Sequence, residues 1–94
     1  MKTYTHMTIG VCLSNGAARE FQHLADSHLS NLADSHLSLT HVGAITVVLE
    51  LAFTDRESCV RYHSSRAYRQ FVEATQHLGT FMTKLFESIE EVTQ

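Results

Sequence analysis

Between Ala44 and Phe53 the chain reads Ala-Ile-Thr-Val-Val-Leu-Glu-Leu-Ala-Phe, with Ile45, Val47, Leu49, Leu51 and Phe53 at every second position. A period of two in β-branched and large apolar residues is that of a strand with one buried face. The intervening Val48 and Ala52 are apolar as well, so the second face also needs cover, and any fold for this chain has to supply it. At 94 residues the chain is expected to be a single domain, 1–94. A domain that small buries only about two-thirds of its extended-chain surface. A sheet face left bare would then favour self-association, so a homodimer is expected.

On either side of this strand the period switches. Met7, Ile9, Val11 and Leu13 alternate through a first strand, 4–13. Ser14 and Asn15 then suit a helix N-cap, and Ala18, Phe21, Ala25 and Leu29 follow at helical spacing. After Phe53, Thr54-Asp-Arg-Glu57 has the spacing of a capping box and predicts a second helix start. Val60, Tyr68, Phe71, Val72, Thr75 and Leu78 carry its stripe to Gly79, with a break available at Ser64-Ser65. Residues 81–89 alternate again as a last strand.

The heptapeptide Leu-Ala-Asp-Ser-His-Leu-Ser occurs at 24–30 and again at 32–38, the mark of a tandem duplication, natural or engineered. The second copy either lengthens the helix or, in the reading favoured by its alternation, forms a strand over 36–42 that turns at Gly43. As added length it is expected to be removable, so that deleting 24–31 leaves the fold and dimer intact. The order β-α-β-β-α-β is that of a ferredoxin-like α+β sandwich with two helices on one face of the sheet.

A net charge of −3 and a pI near 6.1 are wrong for a general phosphate-backbone binder, so no nucleic-acid partner is expected. No run approaches the roughly 18 apolar residues of a membrane span, and the N-terminus lacks the apolar core of a signal peptide. Cys12 and Cys59 have neither CxxC nor zinc-finger spacing and read as reduced core thiols. A soluble cytoplasmic protein without a membrane partner is the expectation.

The stretch 48–71 resembles the stress-responsive A/B barrel family of dimeric α/β-barrel proteins. That family shows an apolar strand ending in Phe-x-Asp, then a helix carrying Tyr-x-x-His-Pro-x-His-x-x-Phe, and Phe53-Thr-Asp55, Tyr62 and Phe71 fall at matching positions. The likeness spans roughly 44 to 86, and His6 adds to it where many members carry a strand histidine. It implies a dimeric α/β barrel in which two sheets pack face to face. The chain departs from the motif where His-Pro-x-His is replaced by Ser65-Arg66-Ala67-Tyr68. Olivetolic acid cyclase-like members use the motif's tyrosine and last histidine for an aldol ring closure. The counterparts are Tyr62 and Tyr68, while their further strand histidine is Val47. A tyrosine with its usual pKa near 10 is a poor base at neutral pH, so that mechanism does not transfer intact.

His6, Tyr62 and Tyr68 are the candidate catalytic residues, with His6 as base because its unperturbed pKa lies nearest neutrality. His6 could instead be a hydrogen-bonded histidine inside the dimer core. The two tyrosines, six apart, diverge on a continuous helix and meet only if Ser64-Ser65 breaks it. Seven histidines raise the question of a metal, yet no H-x-x-x-H pair is present and no metal or cofactor is expected. Glu50, alone among apolar neighbours, needs a partner such as Lys84. The function expected is a cofactor-independent small-molecule enzyme or cyclase-like tailoring protein, acting on an aromatic or polyketide-like ligand in a pocket between sheet and helices. The alternative is a non-catalytic ligand-binding or interaction module on the same scaffold, and a haem-degrading relative is a third reading that the lack of tryptophan weighs against.

Overall fold

The computed structural model describes residues 2–29 and 35–89. Its elements are β1 (Lys2–Cys12), α1 (Asn15–Leu29), β2 (Ser35–His41), β3 (Thr46–Phe53), α2 (Arg56–His63), α3 (Arg66–Thr75) and β4 (Gly79–Ile89). A short 3-10 turn, Gln76–Leu78, joins α3 to β4. The strands form one antiparallel sheet in the order β2-β3-β1-β4. This is the ferredoxin-like α+β topology, with the second helix divided in two.

Register decides which side chains meet. His6 lies between Leu51 of β3 and Leu85 of β4, and Gly10 between Val47 and Phe81. These positions face the helices, where Cys12, Phe21, Ala25, Leu29, Val47, Leu49, Leu51, Phe53 and Phe71 form the core. The alternate positions Met7, Ile9 and Val11, with Val48 and Met82, lie on the opposite, bare face, and Ile9, Val11 and Met82 are exposed on the single chain. His6 therefore points towards the helices, away from the face on which a second sheet would pack.

Three local expectations are corrected. The cap of α2 is Asp55, not Thr54: its carboxylate accepts from the Ser58 backbone N–H at 2.8 Å and from the Ser58 hydroxyl at 2.9 Å. An ionised acceptor makes the stronger cap at the positive end of a helix. Val60 and Val72 are exposed: α2 turns Cys59 and Tyr62 to the core instead, and the break after His63 resets the helical phase so that α3 buries Phe71 and Thr75. Glu50 and Lys84 sit on either side of Met7, two strand spacings or about 10 Å apart, and make no ion pair with each other.

The two heptapeptide copies adopt different structures. Residues 24–29 of the first complete α1 and bury Ala25 and Leu29. Of the second copy, residues 32–34 lie outside the described residues, while Ser35–Ser38 open β2, where Leu37 pairs with Leu51. Flanking residues choose the period. Ala18 and Phe21 precede the first copy at helical spacing, whereas Leu39 follows the second at strand spacing. One copy cannot serve both roles, so deletion of 24–31 is now expected to abolish the cooperative urea transition by removing either the end of α1 or β2. A shortened chain that melts at the parent midpoint would mean that one copy is spare, as the sequence first suggests.

Candidate functional site

The break between α2 and α3 builds the site. The Ser65 hydroxyl donates to the Tyr62 carbonyl at 2.6 Å and accepts from the Tyr68 backbone N–H at 3.1 Å, closing one helix and capping the next. The turn swings Tyr62 and Tyr68, which a continuous helix would splay apart, onto the same side of His6. Ring centroids lie 4.9 Å apart for His6–Tyr62, 4.7 Å for His6–Tyr68 and 5.3 Å for Tyr62–Tyr68, each pair edge-to-face. The three residues singled out in the sequence thus form one aromatic cluster.

A fourth member was not read from the sequence. His63, the last residue of α2, places Nδ1 3.0 Å from Nε2 of His6, and its ring lies 5.1 Å from that of Tyr68. Its position beside Tyr62 and directly before a serine break was the available signal. His6 is 1% exposed while His63 is exposed, so the pair reaches from core to surface.

Burial first, and then the charge His63 can carry, lower the His6 pKa to about 4. His6 is therefore a neutral ring at physiological pH and a weaker base than its sequence alone suggests. Burial, helped by Tyr68, pushes the Tyr62 hydroxyl above the usual tyrosine range, so it stays protonated.

The rings do not line one shared cavity. A cavity of about 270 Å³ between α3 and the sheet is lined by Tyr68 and Thr83 with Phe21, Phe71 and Phe81, and neither His6 nor Tyr62 is in its wall. The Tyr68 hydroxyl lies 3.3 Å from that of Thr83. Phe81 stacks on Phe21 at 5.1 Å, and it lies over Gly10 so closely that an alanine Cβ there would be 2.4 Å from its ring. A smaller groove of about 180 Å³ is lined by His63, Ser64, Ser65, Tyr68, Arg69 and Val72. Cavity and groove adjoin along Tyr68 and Val72, which line both. Among the described residues no group of three or more His, Cys, Asp or Glu side chains is placed to hold a metal.

No protein-family model and no curated protein matches the chain. Solved structures do share its fold. SnoaB, a cofactor-independent oxygenase from Streptomyces nogalater, superposes with a TM-score of 0.78 at 11% identity, covering 100% of both chains. A candidate antibiotic biosynthesis monooxygenase from Nitrosomonas europaea gives 0.75 at 7% identity over 93% of this chain and 90% of its own. Another, from Chloroflexus aurantiacus J-10-fl, gives 0.74 at 8% identity over 98% and 96%. At these identities the likeness is one of fold, and a fold of this kind hosts many chemistries.

Proposed function

We propose that this chain is a tailoring enzyme of the dimeric α/β-barrel type that acts without a cofactor on an aromatic or polyketide-like small molecule. The observation that carries the reading is the aromatic cavity joined at Tyr68 to the His6–Tyr62–His63 cluster. The Phe81 ring, backed by buried Phe21 and Phe71, gives a flat ligand an apolar wall, while the Tyr68 and Thr83 hydroxyls can hydrogen-bond its oxygens. The likeness in fold to a cofactor-independent oxygenase and to antibiotic biosynthesis monooxygenases supports the same class.

The reaction begins with loss of a proton from a phenol or an activated carbon. Tyr68, the one ring of the three that lines the cavity, donates a hydrogen bond to the developing oxyanion, Tyr62 packs behind it, and His6 belongs to the proton-handling pair. The resulting carbanion closes on a carbonyl of the same molecule, as in an aldol cyclase, or gives up electrons to dioxygen. In the second case an activated CH2 group and dioxygen become C=O and water. The two buried free thiols, Cys12 and Cys59, favour a reducing cytoplasm.

Two probes test the reading. Naphthol should bind saturably, and a nitrobenzisoxazole, which opens to a coloured phenolate when a base removes its ring proton, should turn over. Tyr68→Phe should weaken naphthol binding severalfold. Naphthol binding without nitrobenzisoxazole turnover would favour the ligand-binding module, a reading that the burial of His6 and Tyr62 supports. Failure of both probes would overturn the proposal.

A further inference from the structure

The His6–His63 contact joins two rings of opposite situation. His6 is sealed beneath Tyr62 and Tyr68, and His63 lines an open groove at the end of α2. A single hydrogen bond of 3.0 Å links His6 Nε2 to His63 Nδ1, so one ring must donate and the other accept. The residue's own main-chain carbonyl also acts on the His6 ring, in the direction that favours a ring proton beside it. With Nε2 already engaged, Nδ1 is the nitrogen left to donate to that carbonyl. In the neutral pair His6 Nε2 is then the acceptor and His63 Nδ1–H the donor. The pair's one unprotonated and unengaged nitrogen is then Nε2 of His63, the ring that lines the groove.

We infer that His63, rather than His6, accepts the substrate proton, that buried His6 is the residue that positions its ring, and that the groove beside Arg69 takes the ionising group of an acidic phenol or enol. The inference deepens the proposed function and rests on it for the identity of the substrate class. In the step, the substrate O–H or C–H bond breaks and its electron pair remains on the substrate. The proton passes to His63 Nε2, and the resulting imidazolium keeps its Nδ1–H bond to His6. The groups around His63 suit this transfer. From β1 it meets the His6 ring and from α3 the Tyr68 ring, while Ser64, Ser65, Arg69 and Val72 complete the wall of the groove it lines. No carboxylate lines the groove to compete with the substrate's anion, and Arg69 supplies the opposite charge. The low proton affinity of His6 keeps the transferred proton on the exposed ring.

This arrangement mirrors a familiar division of labour, in which a buried group fixes the tautomer and orientation of a histidine that does the proton transfer. Here the orienting group is a second imidazole.

Two measurements on the full chain test it. Heteronuclear NMR of the ligand-free protein should find both rings in the Nδ1–H tautomer at neutral pH, with His6 staying neutral on acidification until about pH 4. A His6 ring carrying its proton on Nε2 would overturn the assignment whatever the protein does to any substrate. With the nitrobenzisoxazole, His63→Gln should lower turnover about a hundredfold with an unchanged melting temperature, the usual scale for a general base. His6→Gln should shift the midpoint of the pH–rate profile as well as its height, because it frees the His63 ring. Equal rates in His63→Gln and the parent chain would also overturn the inference. No turnover by the parent chain would count against the proposed function, while the NMR result still decides the tautomer.

Discussion

Urea unfolding between pH 7 and pH 4 is expected to reveal a loss of about 3 kcal/mol that traces to His6 alone. In the unfolded chain His6 titrates with its ordinary value of 6.5, and in the fold it does so at about 4. Above 6.5 both states hold a neutral ring and the difference contributes nothing. As the pH falls below 6.5 the unfolded chain takes up a proton that the folded chain refuses, and the fold loses stability until about pH 4, where the native ring protonates too. In a domain whose whole stability is on the order of 5 to 15 kcal/mol, that is a large fraction. Asp55 acts in a different window. Its bonds to Ser58 hold its carboxyl below the ordinary 3.8, so its contribution is present above that value and is lost only as the pH falls further. The steepest acid sensitivity should therefore fall between pH 6.5 and 4, and His6→Gln should flatten it whatever that variant's absolute stability. Midpoints that stay constant across this interval, with an unchanged denaturant slope, would mean that His6 is solvated in the fold.

Much of this architecture can be read in the sequence because period and burial are tied through backbone geometry. The alternation Val47, Leu49, Leu51, Phe53 became β3 with those side chains on the helices, and Ser64-Ser65 became the break that the tyrosines required. Less was legible where the outcome depends on partners far along the chain. His6 belongs to a strand whose two faces are both apolar enough to be buried. Only its register against Leu51 and Leu85 places it towards the helices. His63 has no periodic signature, since it ends a helix of eight residues, and its role follows from a ring 57 positions away. The aromatic wall of the cavity was hidden for the same reason. Phe81 can lie flat only because Gly10, its partner across the β1–β4 ladder, has no Cβ to hold it off. Conversely, the identical heptapeptides show that local sequence was not decisive, since 24–29 are helix and 35–38 are strand, with the neighbours on either side selecting the period.

A charge placed on the bare sheet face is expected to abolish an entire assembly. A row of side chains, Thr40, Val48, Ile9 and Met82, crosses all four strands at its centre. In the neighbouring row Glu50 and Lys84 flank Met7 on opposite sides. A twofold axis passing near Met7 would bring the Glu50 of each copy towards the Lys84 of the other, which makes the patch self-complementary in charge as well as apolar in its middle. We propose that two copies pack here, sheet on sheet, and light scattering should then return twice the chain mass of 10.6 kDa. Ile9→Lys is the discriminating substitution. On a single chain Ile9 is 40% exposed, so an ammonium there stays in water and the fold should keep its circular dichroism. Between two sheets the same ammonium would be buried without a partner, at a cost of several kcal/mol per copy. That is enough to shift micromolar dimers to monomers, since each 1.4 kcal/mol is about a factor of ten in affinity. A parent chain that scatters as a monomer would remove the face-to-face pairing. An Ile9→Lys chain that remains dimeric would move the interface off this face.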